Sequence, residues 1–285
     1  MKVGKFQIDV VDTGNFGLDG GSMFGVVPKT MWSKSYHPGD DLNRIPLAAR
    51  PILIQWDEKK VMIDSGNGTK WNEKMTSIYN IDLHKSDLNN ALRPLGVIPE
   101  EITDVIFTHL HFDHCGGATR IEENKLVPTF INAKHYVQKD HLAWALNPLE
   151  KDRASFIRDN FIPILENGMM ETVDGEGDIY AGISVIPVFG HTHSMQLIKI
   201  SDAGETLLYC ADLSPTSAHI HIPVGLSFDN HPIITLEEKK KFIPMACDEG
   251  WTIIYEHDVF KQASKISKNE KGYFAEDEIK ITIAL

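Results

Sequence analysis

The stretch Thr108-His109-Leu110-His111-Phe112-Asp113-His114 places three histidines and an aspartate within seven residues, directly after the apolar run Val105-Ile106-Phe107. His109 and His111 are two apart, so on extended backbone they point the same way and can grip one ion. Asp113 and His114 lie past the strand, where the chain turns, and can aim at a second. Imidazole nitrogens with a carboxylate suit zinc and its first-row neighbours rather than calcium or magnesium. The bland alternative is a solvated loop that happens to be rich in histidine. So dense a set at regular spacing after an apolar strand argues against it. The motif supplies two ligands per ion, whereas a catalytic zinc usually has about three from the protein. The remainder of the chain must supply the others.

Three apolar runs end in a suitable side chain: Ile183-Ser184-Val185-Ile186-Pro187-Val188-Phe189-Gly190 before His191, Thr206-Leu207-Leu208-Tyr209-Cys210-Ala211 before Asp212, and Trp251-Thr252-Ile253-Ile254-Tyr255-Glu256 before His257. In open sheets of strands and helices, sites form where strand ends converge. His191 then completes His109 and His111 at one ion, His257 completes Asp113 and His114 at the other, and Asp212 bridges both. His193 competes with His191, but Gly190 favours the tight turn at His191. His219, His221 and His231 follow Asp212 in a loop and are candidates for touching substrate. Glu256 precedes His257 on a strand and faces away from it. Asp64, at the end of Lys60-Val61-Met62-Ile63 and before Ser65-Gly66-Asn67-Gly68, can hold a ligand histidine by its other nitrogen. The alternative for it is a simple turn aspartate. Cys115 reads as a small buried residue rather than a ligand.

The elements that must position these residues follow from pattern. Strands are expected over 6–11, 48–56, 60–63, 102–107, 129–137 and 183–189. Helices are expected over 87–95, where Leu88, Leu92 and Leu95 share one face before Gly96, and over 139–146, with a mixed helical insert over 148–165. His135 and His141 read as structural or surface histidines. The segment 15–32, rich in glycine and aromatics, reads as an irregular loop. Residues about 12–45 are expected to contribute to a pocket, through Phe24 among others, or to a dimer contact, with plain core packing the equal alternative for the segment's apolar residues. No linker divides the chain, so 1–285 reads as a single domain.

The chain has 285 residues, 42% apolar and 24% charged, with a formal charge of −12. That balance disfavours nucleic acid as a partner, because phosphate binding depends on Lys and Arg replacing counterions. No apolar run is long enough to span a membrane and no signal peptide is evident. Three scattered cysteines without a CxxC make a disulfide framework unexpected, and the chain reads as cytoplasmic.

His109-Leu110-His111-Phe112-Asp113-His114, Gly190-His191-Thr192, Ala211-Asp212 and His257 resemble the metallo-β-lactamase superfamily, and the resemblance spans Asp64 to His257. It implies an α+β fold, a four-layer αββα sandwich of two mixed sheets with helices outside. Asp19-Gly20-Gly21-Ser22-Met23-Phe24-Gly25-Val26-Val27-Pro28-Lys29 is similar to the branch that holds quorum-quenching N-acyl-homoserine lactonases and methyl parathion hydrolase. That branch implies a dinuclear centre and commonly a homodimer. Where many relatives have Pro-Gly after Gly-His-Thr, this chain has His193-Ser194, which leaves His191 intact.

The expected chemistry is hydrolysis by a metal-bridging hydroxide. Two divalent ions, zinc before manganese, iron or cobalt, lower the pKa of water from ~15.7 towards ~7. The expected substrate is a small lactone or ester, with a phosphotriester as the alternative, and Asp113 is the candidate proton donor to the leaving group. Other chemistries of the superfamily fit less well. A flavodiiron reductase wants Glu at position 111 and a flavodoxin-like domain. A persulfide dioxygenase has lost second-site ligands that are present here as Asp113, His114 and His257. Nucleases need a basic surface, and a glyoxalase II thioesterase has an added helical C-terminal domain. A non-catalytic metal-binding protein would not need a full set of ligands for an open dinuclear site.

Overall fold

Buried Phe6, Ile8 and Val10, Ile52 to Ile54 and Val61 to Ile63 build the antiparallel part of a seven-stranded sheet in a computed structural model that describes residues 1–281. The strands run in the order Lys2–Val3, Phe6–Val10, Ile52–Trp56, Lys59–Ile63, Asp104–Ile106, Lys134–Gln138 and Met170–Val173. The last four pair in parallel, with Ile106 level with Ile63 on one side and Tyr136 on the other. Asp104–Ile106 is therefore an interior strand, which is why Val105-Ile106-Phe107 reads as a continuous apolar run rather than an alternating one. A second mixed sheet has six strands: Gly177–Tyr180, Ile183–Val188, Met195–Asp202, Glu205–Tyr209, Thr252–Ile254 and Ala263–Ser264. The fold is α+β, mixed sheets with helices, as the sequence predicts.

The chain forms two compact units, each discontinuous in sequence. Met1–Gly14 and Ala49–Gly175 carry the seven-stranded sheet; Asn15–Ala48 and Glu176–Lys280 carry the six-stranded one. The core of the first gathers Leu53, Met62, Val105, Phe107, Leu110, Phe130 and Phe161, with Leu88 and Leu92 from the helix Leu88–Leu92. Burying side chains of this size contributes about 1.5–3 kcal/mol each. In the second, the longest helix is Pro232–Asp248. No helix among the described residues is long and apolar enough to cross a membrane.

Several elements differ from expectation. The segment 15–32 is ordered: Asn15–Asp19 pairs with Arg44–Ala48, and the short helices Gly20–Phe24 and Lys29–Ser35 follow. Asp19 caps the first of these through the Ser22 N–H. Tertiary pairing orders what has no period of its own. The strand expected from residue 129 begins only at Lys134, because Ala133 closes a turn on Phe130. The helix Lys139–Leu146 has its expected bounds, while 148–165 is mainly the 3-10 turns Arg153–Ser155 and Arg158–Asn160 before the helix Ile162–Glu166.

His135 is fully buried and stacks on Phe107 at 5.8 Å between ring centres. Burial pushes its imidazole down to about 4. A histidine lowered on folding contributes stability above its unfolded pKa of about 6.5, and that stability is lost as pH falls towards the folded value. Between pH 7.5 and pH 5 the loss from this one group is about 2 kcal/mol. Urea unfolding at both pH values should show the wild type losing that much more than His135→Leu; equal losses would assign the acid sensitivity elsewhere.

Candidate metal centre

In the first unit, Asp64 governs the motif. It ends the strand Lys59–Ile63 with φ of 57°, an uncommon conformation for a residue with a side chain. That turn returns its carboxylate to the neighbouring strand end, where Oδ1 accepts from the Thr108 N–H at 2.7 Å and Oδ2 from the Thr108 hydroxyl at 2.7 Å. Oδ2 also lies 3.1 Å from His114 Nδ1. A carboxylate only accepts, so the proton of His114 sits on Nδ1 and its lone pair on Nε2. Thr108 has a single hydroxyl proton, directed to Asp64. Its oxygen therefore accepts from His109 Nδ1, 3.0 Å away, which leaves the His109 lone pair on Nε2. That Nε2 lies 3.0 Å from His111 Nδ1. One buried carboxylate thus sets two imidazole tautomers, one directly and one through a hydroxyl.

The backbone beneath is fixed as tightly. His141 Nε2 accepts from the Leu110 N–H at 2.9 Å. Cys115, whose thiol burial pushes up to about 12, directs Sγ to Leu110 O. Ser65 donates its N–H to His114 O at 2.7 Å. A Cβ on Gly116 would lie 2.1 Å from Asn67 O, so glycine there lets the two turns touch. Asp113 lies 3.9 Å from His114 Nε2. Tyr79, raised by burial and by Asp113, packs on Phe112 beside it.

In the second unit, His191 follows the strand Ile183–Val188, Asp212 follows Glu205–Tyr209 and His257 follows Thr252–Ile254. Ala211, before Asp212, takes φ of 44°. His257 Nδ1 lies 2.8 Å from Ala48 O, an acceptor only, so its proton is on Nδ1. His191 Nδ1 lies 3.0 Å from Asp229 Oδ1, which places its proton likewise. The two Nε2 atoms face opposite oxygens of Asp212: His191 Nε2 is 3.0 Å from Oδ2 and His257 Nε2 is 3.2 Å from Oδ1. Lone pair faces lone pair twice, and only a cation between them, a proton or a metal ion, turns each approach into attraction. Burial opposes charge on His191, yet Asp212 and Asp229 outweigh it and raise its pKa to about 9. The residues fit divalent ions with imidazole and carboxylate donors.

Of the substrate candidates, Phe24 is buried between Trp32 and His219, at 5.5 and 4.8 Å between ring centres. His219 is buried with Nδ1 on Thr216 Oγ1 and Nε2 on Met23 O, both at 2.7 Å. His221 is exposed, and its carbonyl accepts from Lys239 Nζ. His193 is half-buried, edge-on to Phe189. Ser194 takes φ of 53°, a left-handed conformation that glycine would adopt at no steric cost. Asp229 carried no sequence signal, and Ala48 acts through its backbone, which sequence does not mark. Thr108 stood in view before His109, but its role needed the position of Asp64.

A model of the metallo-β-lactamase superfamily matches residues 46–257. The N-acyl homoserine lactonase AiiA of Bacillus thuringiensis subsp. kurstaki is 25% identical over 246 residues, 80% of this chain and 86% of the relative. The N-acyl homoserine lactonase AttM of Azorhizobium caulinodans is 28% identical over 237 residues, 78% and 86%. A probable metal-dependent hydrolase from Staphylococcus aureus superposes with a TM-score of 0.88 at 28% identity, covering 98% of this chain and 100% of its own. AidC, a dizinc quorum-quenching lactonase solved with N-hexanoyl-L-homoserine, shares the fold at a TM-score of 0.81 and 20% identity, covering 98% and 97%.

Asp64→Ala strands the Thr108 N–H and the His114 Nδ1–H in the interior. The expected loss in urea unfolding is about 3 kcal/mol, with a smaller loss for Asp64→Asn. A change below about 1 kcal/mol for Asp64→Ala would remove Asp64 from its governing position.

Proposed function

The chain belongs to the metallo-β-lactamase superfamily, and from that premise we propose that it is a dinuclear metal-dependent hydrolase acting on a small lactone or ester of the N-acyl-homoserine lactone kind. The carrying observation is Asp212, whose two oxygens face Nε2 of His191 and Nε2 of His257 while Nδ1 of each ring is engaged by Asp229 and by Ala48 O. In this reading His109, His111, His191 and Asp212 hold one ion, and Asp113, His114, Asp212 and His257 the other. Zinc is the first choice, ahead of manganese, iron or cobalt. When bound, the pair of ions lowers the pKa of water and polarises the carbonyl under attack.

The chain's own residues do the rest. Asp64, Thr108, Asp229 and Ala48 hold four imidazoles in the tautomer that presents Nε2. Asp113 takes up the proton of the attacking water and passes it to the leaving alkoxide. The relatives' names support a lactone as substrate, and 1–285 is read as one hydrolase domain. The three cysteines, all free, accord with a cytoplasmic enzyme. Val26, Met31 and Leu42 stand exposed on the N-terminal segment and would serve the homodimer expected from the resemblance.

Elemental analysis should find two ions per chain, and the loaded protein should open N-acyl-homoserine lactones faster than it cleaves paraoxon. His109→Ala and Asp212→Ala should lose both metal and hydrolysis; full activity in either sinks the reading. Asp113→Asn separates its proposed role from ligation. As proton donor it should cost about 10²–10⁴-fold in kcat on lactones and much less on p-nitrophenyl esters, whose leaving group needs no proton. Equal losses on both would leave Asp113 a ligand alone.

A further inference from the structure

We propose that Asp229 is a positioning residue whose carboxylate holds His191 in the one tautomer that can bind an ion. The inference rests on the metallohydrolase reading above and adds a residue outside the motif and outside the strand ends. Asp229 is buried, and its two carboxylate oxygens are engaged differently: Oδ1 faces His191 Nδ1 at 3.0 Å, and Oδ2 accepts from the Leu226 N–H at 3.3 Å.

The backbone of the His191 turn is already held by other groups. Glu238, on the helix Pro232–Asp248, accepts from the Phe189 N–H at 2.6 Å and the Gly190 N–H at 3.2 Å. A Cβ on Gly190 would lie 2.3 Å from Thr235 N, so the turn is pressed directly onto that helix. Asn230 and His231 donate their N–H groups to His191 O and Gly190 O at 2.9 and 2.8 Å. With the main chain fixed, what Asp229 adds is control of the ring. The loop that carries it is itself tied down: the buried Lys239 donates to His221 O and Val224 O, and the Ser227 N–H to Ser22 O.

Replacing one oxygen of Asp229 by an amide nitrogen gives a sharp chemical contrast. The Leu226 N–H needs an acceptor, so the amide oxygen of Asp229→Asn takes that side and its NH2 faces His191 Nδ1. Nδ1 must then carry the lone pair, and the ring proton moves to Nε2, where it bonds Asp212 Oδ2 instead of leaving room for a metal ion. The shape of the site is unchanged and its donor is lost. Removing a group that orients a ligand histidine weakens metal binding by about 10–100-fold.

The test titrates metal-stripped full-length chain with Zn2+ against a chromophoric chelator. Thermal unfolding of the stripped proteins and visible spectra of the Co2+ forms are recorded in parallel. Asp229→Asn should bind the weaker-held zinc at least about tenfold less tightly, with an altered Co2+ spectrum and an unfolding midpoint within about 4 °C of wild type. Asp229→Glu, which keeps the carboxylate, should restore most of the affinity. If Asp229→Asn fails to fold, Asp229→Glu with near wild-type affinity still supports the carboxylate's role. Wild-type affinity and spectrum in Asp229→Asn overturn the inference and leave the hydrolase reading standing, and so does a loss in Asp229→Glu as large as in Asp229→Asn. A wild-type chain that takes up no zinc overturns both.

Discussion

An imidazole carries one proton when neutral, and the architecture around the candidate centre is organised by where that proton goes. Four histidines have it on Nδ1. Two face carboxylates, one faces a backbone carbonyl, and one faces a threonine hydroxyl whose own proton is committed. Each arrangement leaves Nε2 as the donor atom. The constraint reaches back into the fold. Asp64 meets Thr108 and His114 because Ile63 and Ile106 are in register on adjacent parallel strands, and because a left-handed residue turns the carboxylate across the strand ends. A slip of one residue in that pairing would move every side chain to the opposite face.

The second unit reaches the same end by different means. Asp229 comes from a loop and Ala48 O from the end of the strand Arg44–Ala48, whose pairing with Asn15–Asp19 orders the N-terminal segment. The segment's grip on His257 is extensive: the Ala48 N–H donates to His257 O at 3.0 Å, the Tyr36 hydroxyl, shared with Pro46 O at 2.9 Å, lies 3.2 Å from the same oxygen, and Phe16 meets the ring edge-on at 5.5 Å. The two supports are not equal. A hydrogen bond to a charged acceptor contributes about 1.5–3 kcal/mol, against about 0.5–1.5 for a neutral one. His191 is therefore held by the stronger bond, and its pKa, opposed by burial, is raised by Asp212 first and by Asp229 after it.

The sequence made the motif legible because its information is local. Spacing of two on a strand, an apolar approach and a glycine before His191 are short-range facts. Asp64 was visible as a strand-end carboxylate for the same reason. What stayed hidden depends on separation in the chain. Asp229 is 38 residues from His191 and stands in an ordinary loop string, Phe228-Asp229-Asn230-His231. Ala48 contributes an atom that every residue has. The order of 15–32 comes from pairing with Arg44–Ala48, which a search for periodicity within the segment cannot find. His219 shows the converse: a histidine in a loop after a candidate ligand suggested substrate contact, yet burial drives its pKa to about 4 and both ring nitrogens are engaged by the protein.

Buried carboxylates offer a way to tell scaffold from site without reference to relatives. Asp258, next to His257, accepts from the Ser217 N–H and hydroxyl through one oxygen and from the Phe260 and Lys261 N–H groups through the other. Four donors meet one charge, which is how a buried anion becomes a rigid staple. Asp64 is met by donors in the same way and belongs with it. Asp212 is different in kind. Its oxygens face imidazole nitrogens that, once Nδ1 is protonated, are acceptors themselves. Burying an anion against acceptors is unfavourable unless a cation joins them, so the fold has placed at Asp212 a demand for positive charge between its oxygens and the imidazoles. A proton on His191 answers it in part, as that ring's raised pKa shows, and divalent ions held by these residues would answer it with more charge.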